Sequence, residues 1–325
     1  MTREITLDAA GLPLRYELVV GGVNCAVQTN SHLVGDATEC WRSVAPQSDP
    51  VEFCMRVQVM RSQRTHKEPP HFRGLHHLVI ASFGAANVFV FDLARGEVAA
   101  CIEEALAADP LFWDRLLLPI ALGVLGATVG ILPVHSACLG VRAEGLLIAG
   151  ISGAGKSTLA VALAQHGFDF VSDDWTYLSL ARGQLVATGM RQPAKLLPDA
   201  LQYFDFLAHY NTSLALNQEL AYLVPPDAFA KGVRLACHPR WFVFLERTDS
   251  RECAITRIPA AEASRYIEGS VEALPYQLSN AIKARAQLIH RTAHLECWKL
   301  RYGGPPDVAV RCLQAFVAQE QDGAA

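Results

Sequence analysis

The stretch GISGAGKST, from Gly150 to Thr158, constrains this chain more than any other. Gly150, Gly155, Lys156 and Ser157 meet the spacing GxxxxGK[ST], and Gly153 adds a further glycine. Glycines let the backbone turn so that successive N–H groups point inward at phosphate oxygens. A lysine at this place reaches the β- and γ-phosphates, the hydroxyl after it binds Mg2+, and the helix that begins here offers its positive end. The flanks have the matching character. GLLIAG is an apolar strand entering the loop, and STLAVALAQHG is a helix leaving it, stopped by Gly167. Strand, loop and helix in that order predict an ATP and Mg2+ site cradled by Gly150, Ser152, Gly153, Ala154, Gly155, Lys156, Ser157 and Thr158.

One helix later comes FDFVSDDW, Phe168 to Trp175, an apolar-leaning strand that delivers Asp173 and Asp174 back toward the loop. Adjacent residues on an extended strand point to opposite sides, so the two carboxylates need not act as one unit. One of them is expected to hold Mg2+, directly or through water, and the other to take a proton from an attacking hydroxyl. Residue chemistry alone leaves open which does which. Downstream, GMRQPAKLLPD places Arg191 and Lys195 after a strand, where a cation would neutralise a transferring phosphoryl group.

The rest of the chain sets this core in context. With 325 residues there is room for one large domain or two modest ones. The division expected is a β-rich region over 1–105 and an ATP-binding domain over 106–325. The first hundred residues read as short strands: LRYELVVGGVNCAVQTN, VEFCMRVQVM, then two strands in LHHLVIASFGAANVFVFDLARGEV. RSQRTHKEPPHFRG, between the second and third of these segments, is polar and holds two prolines, and reads as a loop. Later segments read as a hairpin (LPVHSACLGVRAEGLLIAG, turning over Arg142 to Gly145), the apolar strand WFVFLERT, three helical stretches and the strand CWKLRYGG.

Composition excludes several classes of function. A net charge of −4 without a basic run argues against nucleic acid. Nine cysteines without a CxxC pair read as reduced thiols in a cytoplasmic protein, and MTREITLDAAG has no signal-peptide core. Leu116 to Pro133 is uncharged for 18 residues, yet two prolines and three glycines interrupt it, so it reads as a buried helix and not a membrane span. His66, His71, His76 and His77 follow no metal-site spacing, and His290 with His294 lacks an acidic partner set.

The run VHSACLGVRAEGLLIAGISGAGKSTLAVALAQHGFDFVSDDWTYL, Val134 to Leu178, resembles the catalytic core of the HPr kinase/phosphorylase family. That resemblance implies an α/β fold related to ATP-dependent phosphoenolpyruvate carboxykinase, with the N-terminal β-rich region attached. It also implies a histidine, His135, beside the loop assisting the aspartate, with Asp173 as base and Ser157 and Asp174 serving magnesium. The implied activity is transfer of the ATP γ-phosphoryl group to a serine hydroxyl, and the implied assembly is a homo-oligomer. Related kinases serve modified-peptide systems, lasso peptides among them. Two departures, Thr158 where bacterial members usually carry glutamate and an N-terminal hundred residues that do not match, point to a different acceptor.

The function expected is therefore a kinase acting on Ser or Thr of a peptide or small protein, with no nucleic acid or membrane partner. Two rivals stand beside it. One is a small-molecule hydroxyl kinase of the shikimate or gluconate type, acting on free serine or a sugar. The other is a nucleotide-sensing module without turnover.

Overall fold

In the computed structural model the described residues are 11–39, 53–61, 70–181, 183–190, 192–214, 219–249, 252–271 and 279–322. Arg191, Cys40, His66, the first ten residues and most of the polar segment before His71 lie outside them. The chain is mixed α/β and divides into two compact units, Met1–Leu132 with Ala273–Leu288, and Pro133–Glu272 with Ile289–Ala325.

The first unit is built on seven strands: β1 (Leu14–Val20), β2 (Val23–Thr29), β3 (Phe53–Met60), β4 (His71–Leu75), β5 (Leu78–Phe83), β6 (Asn87–Asp92) and β7 (Glu97–Glu103). Their order is β1-β2-β3-β7-β6-β5-β4, parallel only between β2, β3 and β7. Period-two burial follows the sequence. Phe53, Met55, Val57 and Val59 of β3 point to the core, as do Phe89 and Phe91 of β6 and Val98, Ala100 and Ile102 of β7. The segment read as a loop through His71 instead forms β4, because β5 offers it a full antiparallel ladder from His71↔Ser82 to Leu75↔Leu78. Every residue of β4 is exposed, so no apolar alternation could mark it.

Helix α1 (His32–Ala37) is capped by Ser31, and α2 (Glu104–Ala107) is a single turn. The uncharged segment after it is broken, as its prolines require. Asp109 caps α3 (Pro110–Phe112), a π turn runs over Trp113–Leu117, and α4 covers Leu118–Leu125. Pro119 has no N–H to give the preceding turn, and the widened turn sits directly before it. The strand β8 (Ile131–Val134) then leads on. No helix among the described residues is long and apolar enough to cross a membrane.

The second unit centres on three parallel strands: β10 (Glu144–Gly150), β17 (Ala236–Arg247) and β19 (Glu296–Tyr302). Outside β10 lie β9 (Ser136–Val141), antiparallel to it, and β11 (Asp169–Ser172), antiparallel to β9. Two antiparallel reversals make β11 run the same way as β10. The pair β12 (Thr176–Ala181) and β13 (Gln184–Thr188) joins at the start of β17, and β18 (Ala254–Arg257) borders β19. A small sheet of β14 (Ala194–Leu196), β15 (Ser213–Leu214) and β16 (Leu220–Val224) lies in the chain between β13 and β17.

Helix α5 (Lys156–Gln165) packs its Leu159, Ala160, Val161, Leu163 and Ala164 into the core, together with Leu313 and Phe316 of α8 (Pro306–Asp322). Its small residues let it lie close to the sheet. Helix α6 (Ala260–Glu268) and short 3-10 turns over Pro198–Gln202, Asp205–His209 and Pro226–Ala228 belong to the same unit, and α7 (Ser279–Ala293) is divided between the two.

Candidate functional site

Strand direction alone collects the site residues at one edge. Gly150 ends β10, beside Leu245 near the end of β17, and Arg247 and Tyr302 end β17 and β19 as a directly paired couple. β11 runs parallel to β10, so Asp173 and Asp174 leave it at that same edge. β9 runs the other way and starts there, with Ser136 opposite Ala149, which brings His135 to the same place. Ligand sites in α/β sheets gather outside the carboxyl ends of parallel strands for this reason.

The loop itself is shaped by glycine. Gly153 and Gly155 have φ of 79° and 87°, the left-handed region, and Gly155 hands the chain directly into α5. A side chain on Gly155 would begin 3.3 Å from the Tyr302 hydroxyl. No side chain caps the start of α5. Ala154 is buried and donates its N–H to Ile151 O at 3.1 Å, while Ile151 stands 82% exposed and Ser152 is exposed beside it. Lys156 is 7% exposed and its Nζ donates to Gly150 O at 3.0 Å. Burial lowers its basicity, and the charge of Asp174 partly restores it.

The two aspartates occupy different surroundings. Asp173 is 5% exposed. Its Oδ2 accepts from the Lys195 backbone N–H at 2.9 Å. Burial, with the charge of Asp174 second, pushes its carboxyl from 3.8 up to about 7. Asp174 is open to solvent, its side chain 52% exposed, and its Oδ1 lies 2.9 Å from His135 Nε2. The His135 ring stacks on Trp175, with centroids 5.4 Å apart and planes 26° apart, and its backbone N–H donates to Ser270 O at 2.6 Å.

Of the residues named from sequence, the structure brings together Lys156, Ser157, Asp173, Asp174 and His135. Thr158 lies in the first turn of α5. His135 sits beside Asp174, whereas the family resemblance set it to assist Asp173 as base. Lys195 reaches the site through its backbone N–H, and its Nζ pairs with Glu219 at 2.6 Å. Trp175 and Tyr302 carried no signal as site residues. An aromatic after an aspartate pair and a tyrosine in a distant strand look like ordinary core.

In Mg2+ terms the donors fit. Ser157 at the start of α5 and Asp173 after β11 offer a hydroxyl and a carboxylate, and such oxygen ligands suit a hard divalent cation. No protein family and no curated protein matches the chain. Among solved structures, the chain is similar to the HPr(Ser) kinase/phosphatase from Coxiella burnetii. The TM-score is 0.32 and the identity 15%, over 58% of this chain and 98% of that one. At that TM-score the likeness carries no further weight.

Proposed function

We propose that this protein transfers the γ-phosphoryl group of ATP to a hydroxyl, that of Ser or Thr in a peptide or small protein. The observation that carries the reading is the convergence, at one sheet edge, of a left-handed glycine loop, a buried lysine at a helix start and two carboxylates of unlike exposure. Phosphoryl transfer asks a protein for little covalent chemistry. It has to hold the phosphates, neutralise charge and remove a proton.

Each part has a residue suited to it. The loop from Gly150 to Gly155 and the uncapped start of α5 offer backbone N–H groups to phosphate oxygens. Lys156 exchanges its bond to Gly150 O for the β/γ-phosphates. Mg2+, when bound, neutralises the charge on those phosphates, held from the chain by the Ser157 hydroxyl and an aspartate. A second carboxylate accepts the hydroxyl proton.

The openness of Asp174 and His135 favours an acceptor presented on a peptide chain over a small molecule, which needs enclosure to bind tightly. The motif run from Val134 to Leu178 supports the same reading through its resemblance to serine kinases. Calorimetric titration of the whole chain with Mg·ATP tests the premise. Saturable binding of one nucleotide per chain is expected, and no binding of either ATP or GTP would overturn the reading.

A further inference from the structure

We infer that Arg247 receives the nucleoside end of the bound nucleotide: its guanidinium, laid on the Tyr302 ring, is a flat platform on which the base stacks. This rests on the phosphotransferase reading above. It adds to that site a part which the glycine loop, the lysine and the aspartates leave unfilled.

The sheet sets the placement. Across the carboxyl edge the strands run β11, β9, β10, β17, β19, with the loop leaving β10 in the middle. Asp173, Asp174 and His135 adjoin the ends of β11 and β9, on one side of the loop. Arg247 and Tyr302 end β17 and β19 on the other side. Strands lie about 4.8 Å apart, so roughly 19 Å separates β11 from β19. A triphosphate chain is shorter than that. A nucleotide with its γ end at the carboxylates and its length across the loop therefore brings its nucleoside to Arg247. Tyr302 joins this side to the loop: a β-carbon on Gly155 would begin 3.3 Å from its hydroxyl.

Arg247 is held in place by more than its own strand. Its Cζ lies 4.4 Å from the Tyr302 ring centroid, and its Nη2 donates to Gly304 O at 3.1 Å. Nearby cations are employed differently. Arg301 pairs with Glu246 at 3.0 Å and Lys299 with Glu262 at 3.1 Å, whereas the partners of Arg247 are a ring and a carbonyl. A guanidinium is planar, weakly hydrated and stacks on aromatic faces. Tyr302 is buried and supports one face of it; Arg247 itself is exposed, which leaves the opposite face to a ligand. A nucleobase there continues the stack. Tyr302 does not touch the base in this arrangement and is a positioning residue.

Calorimetry of the whole chain with Mg·ATP and with magnesium tripolyphosphate separates the base from the phosphates. Wild type is expected to bind ATP more tightly than tripolyphosphate. Arg247→Ala should weaken ATP by about five-fold or more while tripolyphosphate stays within about two-fold. Arg247→Lys keeps the charge and loses the flat face, and should behave as the alanine variant does. Tyr302→Leu should weaken ATP in the same way, and Tyr302→Phe, which keeps the ring, should restore it. Thermal melting checks that each variant is folded.

Equal weakening of ATP and tripolyphosphate in Arg247→Ala, rescued by Arg247→Lys, would make Arg247 a phosphate contact and overturn the inference. Unchanged ATP affinity would overturn it too, as would a wild type that binds tripolyphosphate as tightly as ATP. In each of these cases the phosphotransferase reading stands. A wild type that binds neither ATP nor GTP would instead remove that reading, and this inference with it.

Discussion

His135 Nε2 lies 2.9 Å from Asp174 Oδ1, while the neighbouring Asp173 turns inward to the Lys195 N–H. Two residues joined by one peptide bond, in the bend that follows β11, thus face different environments. The outer one is accessible and paired with an imidazole, the inner one buried and bonded to the Lys195 N–H.

The glycine loop makes the first prediction. Alanine at Gly153 or Gly155 forces a β-carbon into the left-handed region, at about 1–2 kcal/mol each. Gly153 has open space around it, whereas Gly155 faces the Tyr302 hydroxyl at 3.3 Å. Urea unfolding should show Gly155→Ala as the more costly, and calorimetry should show it losing more nucleotide affinity. Equal behaviour of the two variants would contradict the crowding at Tyr302.

Asp173 makes stability depend on pH. Its carboxyl is held near 7 in the folded chain, against 3.8 ordinarily, so between those values the native state binds more protons than the unfolded state. Stability is therefore lost as pH rises through that window, on the order of 4 kcal/mol at most. In metal-free buffer Asp173→Asn should be more stable than the parent at about pH 8, with the gain shrinking toward about pH 5. Urea melts at the two pH values measure this. A difference independent of pH would show that the carboxylate is not strained by burial.

Lys156→Ala removes the charge expected to meet the phosphates. A charge-assisted hydrogen bond contributes about 1.5–3 kcal/mol, so nucleotide affinity should fall by about ten- to a hundred-fold. Burial already disfavours this ammonium, so the melting temperature should hardly drop. Titration calorimetry and a thermal melt on the same variant check both halves.

Gly145 tests the packing beneath the site. A β-carbon there would come 2.5 Å from Cys237 Sγ and 3.2 Å from Pro239 Cα. Gly145→Ala should cost about 1–3 kcal/mol by overpacking. Cys237→Ala, introduced together with it, should recover part of that loss in a double-mutant cycle. Additive losses would refute the contact.

That glycine also shows where sequence reading stops. Arg142 to Gly145 looks like one turn, yet β10 begins at Glu144 and Gly145 is a strand residue kept bare for a cysteine of another strand. The strand, loop and helix from Glu144 to Gln165 were legible because glycine spacing and apolar runs are local signals. WFVFLERT was legible as a strand for the same reason. Its parallel pairing with both β10 and β19 was not, since strand order depends on contacts far apart in the chain. The aspartate pair was visible as chemistry, but its division into an inner and an outer carboxylate depends on Lys195 and His135, which local pattern cannot place.

The most direct measurement is mass spectrometry of a degenerate Ser/Thr peptide mixture after incubation with the protein and Mg·ATP. The account predicts phosphate on serine or threonine, absent with Lys156→Ala and when Asp173 and Asp174 are both replaced by asparagine. Nucleotide binding without phosphate on any peptide, or phosphate appearing only on free serine or a sugar, would contradict it.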